Sequence, residues 1–287
     1  MNFTYTENTP LAPYCSMKAG GYAKYLVLPK SESELLGAVG YFKEKNEKYI
    51  VVGNCSNLLF PDGLYDGAVI ICTAVRGISE KDGFIEAYCG ETLSSLARAA
   101  CDASLTGLEF CYGIPGTIGG GVYMNAGAYG GELALAFVRG RFLSKNGEIV
   151  ELTRDEMGFG YRKSIMQTEP LVLISATFKA EKGDKAEIRA QMDTLMAKRK
   201  ASQPLEYPSC GSAFKRPEGH YAGALIEQCG LKGVSVGGAQ VSVKHAGFVI
   251  NAGNATATDV ISLLTLVSDT VFEKTGVRLE PEIRIIK

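Results

Sequence analysis

One stretch of this chain carries glycine at a density that helices and strands do not use. Nine of the 34 glycines fall between Gly107 and Gly131. A second candidate loop, Val52-Gly53-Asn54-Cys55-Ser56-Asn57-Leu58-Leu59, with its one glycine at Gly53, follows directly on the strand-like run Tyr49 to Val52. Glycine loses more conformational freedom on folding than any other residue, so regular elements avoid it. Its concentration marks backbone that turns tightly or passes close to a ligand. Exposed N–H groups with no Cβ in the way are what cradles a phosphate. Neither stretch holds the glycine-lysine-serine or glycine-lysine-threonine ending of a nucleoside-triphosphate loop, and neither is a GxGxxG turn opening a helix after a strand. Nucleotide hydrolysis and standard dinucleotide binding are both disfavoured. Tight turns in a glycine-rich sheet would explain an isolated glycine better than they explain the nine from Gly107 to Gly131.

Hydrophobic periodicity supplies the scaffold around these loops. Lys24 to Pro29, Tyr49 to Val52 and Gly67 to Thr73 read as strands, and Ser31 with Glu34 forms a capping box opening a helix to about Lys45. Phe84 to Tyr88 reads as a strand and Thr92 to Ala103 as a helix with Leu93, Leu96 and Ala100 on one face. Strands are expected at Ala136 to Leu143, Ile149 to Leu152 and Leu171 to Lys179, then an amphipathic helix from Asp184 to Lys200 with Ile188, Met192, Leu195 and Met196 on its apolar stripe. Residues 201–209 carry two prolines and mark a boundary. Beyond it come a helix near Tyr221 to Gln228, strands near Ala239 to Val243 and Phe248 to Asn251, a helix from Thr258 to Lys274 stopped by Gly276, and a strand from Leu279 to Ile286.

Charge excludes some partners. Thirty basic residues against 31 acidic give no electrostatic footprint for nucleic acid. No apolar run reaches the roughly 20 residues of a membrane helix, and residues 1–12 lack a signal-peptide layout. A cytoplasmic location is therefore expected. The eight cysteines form no CxxC pair and show no zinc-ligand spacing, so they read as buried small hydrophobes, and no metal is expected.

Several motifs, taken in order, resemble the UDP-N-acetylenolpyruvoylglucosamine reductase (MurB) family. They are Ser56 to Leu59 (SNLL), Gly107-Leu108-Glu109-Phe110, Gly113 to Gly121 (GIPGTIGGG), Met124 to Glu132 (MNAGAYGGE), Tyr161 to Ser164 (YRKS), Gly211 to Lys215 (GSAFK), Gly230 to Gly233 (GLKG), His245 to Phe248 (HAGF) and Leu279 to Ile283 (LEPEI). They span nearly the whole chain. The resemblance implies an α+β architecture: a vanillyl-alcohol-oxidase-type (PCMH) FAD-binding fold of two α/β subdomains plus a C-terminal α+β substrate domain. The corresponding ranges are 1–75, 76–200 and 201–287. Room for only about one strand and one helix between Arg162 and Ser212 is similar to the shorter, type II form.

The resemblance further implies FAD and NADPH as cofactors. The reaction is reduction of an enolpyruvyl ether on a small nucleotide sugar in peptidoglycan precursor synthesis, with the protein expected to be a monomer. FAD is expected at Gly53, Asn54, Cys55, Ser56, Asn57, Gly113, Pro115, Gly116, Thr117, Gly119, Gly120, Asn125, Ala126 and Gly127. Hydride passes to the terminal vinyl carbon, charge develops beside the carboxylate, and a proton must follow. Ser212 matches the family's proton donor, Glu282 its glutamate, and Arg162 is the expected carboxylate clamp, since its planar fork fits a carboxylate. Tyr161, Lys215, Arg216, Lys232 and His245 are expected on the substrate side, although His245 reads equally well as a satisfied structural histidine. Cys55 stands where the family usually has glycine, and a positive φ there would strain the loop. Two other readings stay open at this point. One is a flavin oxidase of the same fold; of the two histidines, His220 and His245, neither lies in a flavin loop to tether it. The other is a nucleotide-binding protein without chemistry.

Overall fold

The computed structural model describes residues 2–287. The chain divides into two compact units. One holds the residues up to Thr6, Tyr25–Asn54 and Gly67–Arg199, and the other Glu7–Lys24, Cys55–Asp66 and Lys200–Lys287. The expected boundary near residue 200 coincides with a limit of these units, whereas the expected one near 75 does not. Residues 7–24 and 55–66 cluster instead with the C-terminal segment, because Met17, Ala19 and Leu59 are buried in the same core as Phe214, Leu225, Val260, Leu264 and Val267.

The first unit is built on an antiparallel sheet with strands in the order Ile149–Thr153, Phe137–Leu143, Val172–Lys179, Phe84–Tyr88, Ile78–Lys81. Alternation along Phe84–Tyr88 buries Ile85 and Ala87, and the helix Leu93–Asp102 lays Leu93, Leu96, Ala97 and Ala100 into the same core. In the same unit, Tyr49–Val52 runs parallel to Leu64–Ile71, from Tyr49 opposite Ala68 to Val52 opposite Ile71. The chain therefore leaves a half-buried parallel strand directly into the loop at Gly53. The helix Glu32–Glu44 starts as expected: the Ser31 hydroxyl accepts from the Glu34 N–H at 3.2 Å, while the Glu34 carboxylate reaches back to the Lys30 N–H at 3.0 Å.

Inside the glycine-dense stretch from Gly107 to Gly131 the structure departs from the loop reading. Ile118–Met124 is a helix, capped by the Thr117 hydroxyl at Gly120 N–H. Two of its three glycines, Gly119 and Gly121, are there for close packing. A Cβ on Gly121 would lie 2.9 Å from Leu133 and 3.1 Å from Leu93, and one on Gly119 would lie 3.3 Å from Cys89. Tertiary proximity overrides helix propensity here.

In the second unit Ser209–Ser212, Phe248–Asn251, Ala239–Val241 and Ser235–Val236 form an antiparallel sheet, with the helix Ala257–Thr275 packed against it. That helix has a Thr256/Asp259 capping box and ends at Gly276 in the left-handed region (φ 73), as its sequence predicts. The Asp62 carboxylate adds to the cap, accepting from Ala257 N at 2.5 Å, Thr258 N at 2.9 Å and the Thr258 hydroxyl at 2.6 Å. The expected strand from Leu279 to Ile286 is shorter. Only Arg284–Ile285 is a strand, parallel to Leu58–Leu59, with a single bridge at Pro281 opposite Phe214; proline has no N–H to extend that ladder. No helix among the described residues is long and apolar enough to cross a membrane.

Candidate active site

In the first unit the turn at Gly53 meets the glycine-dense stretch. A Cβ on Gly53 would fall 2.0 Å from the Thr117 hydroxyl, and the Asn54 amide donates to the Pro115 carbonyl at 3.2 Å. Only a glycine at 53 lets the turn come this close to the helix start. Gly116 is fixed through its carbonyl, which accepts from Leu93 N at 3.0 Å. Gly120 is different in kind. It is exposed, its φ is not positive, and a Cβ there would meet nothing nearer than 3.6 Å. Neither packing nor backbone geometry asks for glycine at 120, which leaves bare backbone available to a ligand. Gly113 packs against the stem of Arg199, 3.1 Å from where its Cβ would be.

The same unit holds Arg162. Its backbone is left-handed (φ 54), a conformation an arginine seldom adopts, and its guanidinium donates to the Gly127 carbonyl at 3.2 Å. Such outliers persist where the surroundings over-determine them, and they cluster at functional sites. Here the Gln167 amide fixes the Arg162 carbonyl at 2.8 Å, and the guanidinium lies 5.1 Å from the ring centroid of the exposed Tyr161. Asn125 supports this loop from beneath. It is fully buried, donates to the Gly160 carbonyl at 3.0 Å and accepts from Ala134 N at 2.9 Å. Its side chain is thus committed to the protein rather than presented to a ligand. Ala126 follows it, with its N–H held by the Gly121 carbonyl at 2.8 Å, and Gly127 lies in a hairpin whose facing backbone, Gly131 O, leaves no room for a side chain.

The second unit holds Cys55, Ser56 and Asn57, together with the acid and hydroxyl candidates. Cys55 has φ 45, so the left-handed turn that a glycine would take without strain is made by cysteine. Two residues on, the Asn57 amide donates to the Glu282 carbonyl at 3.0 Å, and Arg284 N donates back to the Asn57 carbonyl at 3.0 Å. Glu282 N donates to the Ala213 carbonyl and Lys215 N to the Glu280 carbonyl, each at 2.8 Å. Residues 212–215 and 280–282 therefore run side by side. Ser212, exposed after the left-handed Gly211 (φ 76), lies one residue from the position paired with Glu282. The loop at 57, the carboxylate at 282 and the hydroxyl at 212 share one backbone network.

Of the substrate-side candidates, Lys215 forms an ion pair with Glu280, and Lys232 pairs with Glu227 at 2.5 Å. The Arg216 guanidinium sits 4.1 Å from the centroid of the exposed Tyr221 ring. His245 accepts from Gly247 N at 3.1 Å and packs edge-on against Phe248 with centroids 4.9 Å apart. Burial lowers its pKa, as does the nearby Lys232 charge. These contacts fit the structural reading of His245.

Arg199 escaped the sequence reading. It follows Met192 by seven residues, so it falls on the apolar stripe of the helix Lys185–Ser202. Burial lowers its pKa, and no hydrogen-bond or ion-pair partner is present for it among the described residues. A charged residue on an apolar stripe was the available signal. Together with the bare backbone at Gly120, this half-buried cation beside Gly113 suits a loop that holds the pyrophosphate of a dinucleotide. Among the described residues no group of His, Cys, Asp and Glu could hold a metal.

Comparison with known proteins agrees with this geometry. Residues 23–153 match the FAD binding domain family, and residues 203–286 match the C-terminal domain of UDP-N-acetylenolpyruvoylglucosamine reductase. The fold and loops are those of an FAD-binding flavoprotein. Two curated relatives, both named UDP-N-acetylenolpyruvoylglucosamine reductase, are each 46% identical over 98% of this chain. One, from Lactobacillus johnsonii, is covered over 94% of its length, and the other, from Caldicellulosiruptor bescii, over 90%. The crystal structure of the Thermus caldophilus reductase (MurB) superposes with a TM-score of 0.83 at 33% identity over all of both chains. This chain belongs to the UDP-N-acetylenolpyruvoylglucosamine reductase family.

Proposed function

We infer that this protein reduces UDP-N-acetylglucosamine enolpyruvate to UDP-N-acetylmuramate, using FAD and NADPH, in the synthesis of peptidoglycan precursors. It does so as a cytoplasmic monomer acting on a small nucleotide sugar, without nucleic acid or membrane. FAD, when bound, accepts hydride from NADPH and supplies it to the terminal vinyl carbon. Gly53, Asn54, Cys55, Ser56, Asn57, Gly113, Pro115, Gly116, Thr117, Gly119, Gly120, Ala126 and Gly127 line its binding loops, with Arg199 as an added cation. Asn125 acts beneath them.

The chain's own residues handle the charge and the proton. Negative charge grows on the carbon beside the substrate carboxylate, and the Arg162 guanidinium neutralises it through that carboxylate. The bond to the Gly127 carbonyl holds the guanidinium before substrate arrives, so little reorganisation is needed. The Ser212 hydroxyl gives its proton to the same carbon; the carbanion-like acceptor is basic enough for an alcohol to serve. Being exposed, Ser212 recovers a proton from solvent. Glu282, whose N–H is held by the Ala213 carbonyl, stands beside Ser212 toward the carboxyl end of the substrate. Tyr161, Lys215, Arg216 and Lys232 contact the nucleotide sugar, the cations at its diphosphate.

The observation that carries this reading is the pairing of residues 212–215 with 280–282, tied through Asn57 to the cofactor loop. The test is anaerobic and spectroscopic. The purified holoprotein has flavin absorbance that NADPH bleaches, and stoichiometric enolpyruvyl substrate restores it. A colourless protein that takes up no FAD, or bleached flavin that this substrate fails to reoxidise, overturns the reading.

A further inference from the structure

The arginine read as the carboxylate clamp sits on a turn that does not suit arginine. Gly160 and Lys163 exchange two backbone bonds, each 3.1 Å long, so Tyr161 and Arg162 are the central residues of a tight hairpin. Of these two, Arg162 alone has a positive φ (54). A turn with positive φ at its second central position takes glycine or asparagine there by preference. An arginine left to itself relaxes to negative φ. That change swings the Cα–Cβ bond, and the long side chain magnifies the swing at the guanidinium.

Contacts at both ends of the residue oppose the relaxation. At the side-chain end, the guanidinium donates to the Gly127 carbonyl at 3.2 Å. At the main-chain end, the Gln167 amide donates to the Arg162 carbonyl at 2.8 Å. The same amide nitrogen donates to the Tyr123 carbonyl at 3.1 Å and lies 3.9 Å from the Met124 sulfur. Tyr123 is in the last turn of the helix Ile118–Met124, where carbonyls lack a partner within the helix. The buried Ser164 donates its hydroxyl to that carbonyl as well, at 2.8 Å. One amide thus ties the main chain at 162 to the end of the helix that Thr117 starts. Gln167 is itself exposed, so its side chain is not there to fill a core.

We propose that Gln167 is a positioning residue for the reaction: by bridging the Arg162 and Tyr123 carbonyls it holds the left-handed turn, and with it the aim of the guanidinium at the substrate carboxylate. It needs no contact with substrate or flavin, because it acts through Arg162. The inference rests on the reading of Arg162 as the clamp. The step it serves is the arrival of hydride at the vinyl carbon, when charge grows beside the carboxylate. Reduction of the flavin by NADPH comes earlier and involves no such carboxylate. Misplacement by about 1 Å costs on the order of 10²-fold in a step of this kind, and a turn that is loosened rather than lost costs somewhat less.

The test is rapid mixing of the full-length, FAD-loaded protein under anaerobic conditions, with each half-reaction followed separately. Gln167→Met keeps the length of the side chain and removes both N–H groups. Its flavin content and its bleaching by NADPH stay at the parent level, while reoxidation by the enolpyruvyl nucleotide sugar slows about 10–10²-fold. Gln167→Glu keeps the shape but at neutral pH can only accept. It shows the same split and serves if the methionine variant folds poorly. In Arg162→Lys the guanidinium is already absent, so adding Gln167→Met slows reoxidation by less than about twofold more. Unchanged reoxidation in both Gln167 variants, equal losses in the two half-reactions, or losses that multiply in the double variant overturn the proposal. A parent protein whose bleached flavin this substrate fails to reoxidise overturns the reading of the site, and the proposal with it.

Discussion

Gly53→Ala puts a methyl group 2.0 Å from the Thr117 hydroxyl, well inside any real contact distance, with the Thr117 Cβ and Cγ2 at 3.1 and 3.2 Å. Two responses are available. Thr117 can rotate away and give up the helix cap at Gly120, at about 0.5–2 kcal/mol. Alternatively the loop can shift against a packed helix start, at about 1–3 kcal/mol. The expected loss is therefore about 1–3 kcal/mol, or roughly 2–4 °C in midpoint per kcal/mol for a chain approaching this size. The decisive version is a double-mutant cycle followed by thermal unfolding of the FAD-free protein, which removes ligand linkage. Thr117→Ala alone costs about 1 kcal/mol for the lost cap. In that background the nearest atom to the new methyl is a Cβ at 3.1 Å. Gly53→Ala should then cost under about 1 kcal/mol, giving a coupling of about 1–2 kcal/mol. Strict additivity would show that the Gly53 turn and the Thr117 helix start do not touch and would refute the reasoning.

Other expectations follow from single contacts. Arg162→Lys, which keeps charge but loses the planar fork, should lower kcat by about 10²–10³-fold in the substrate half-reaction. Stopped-flow bleaching of the flavin by NADPH should stay near the parent rate; an equal fall in both phases would contradict the clamp. Asp62→Ala removes three bonds at the start of Ala257–Thr275 and should cost about 1–2 kcal/mol in urea unfolding. No change would mean that the Thr256/Asp259 box suffices. For His245, burial places the folded pKa below the ordinary value of 6.5. Its stabilising contribution is complete above that value and disappears as the pH falls through the lowered one. Stability of the parent should thus fall more steeply on acidification than that of His245→Gln, and parallel curves would contradict this.

Local features were legible because local chemistry decides them. Ser31 and Gly276 announce a helix start and stop, and both do so in the structure. The helix Ile118–Met124 was not legible, because Gly119 and Gly121 are selected by Cys89, Leu93 and Leu133 rather than by helix propensity. The passage of residues 7–24 and 55–66 into the second unit depends on burial of Met17, Ala19 and Leu59 beside residues some two hundred positions away, which no short window contains. Within the site, Ser212 and Glu282 stand out through their sequence surroundings. The bond from Asn57 to Glu282 spans 225 positions and had no sequence signal. Asn125 illustrates the reverse: its motif marks it, yet its side chain serves the backbone beneath the loop. The expected strain at Cys55 is present as a positive φ.

The role of Ser212 is most directly tested by rapid-mixing spectroscopy of Ser212→Ala, with each half-reaction followed separately under anaerobic conditions. Flavin bleaching by NADPH should proceed as in the parent, while reoxidation by the enolpyruvyl nucleotide sugar should stop. Comparable losses in the two phases, or undiminished reoxidation, would remove the hydroxyl at 212 as the source of the proton.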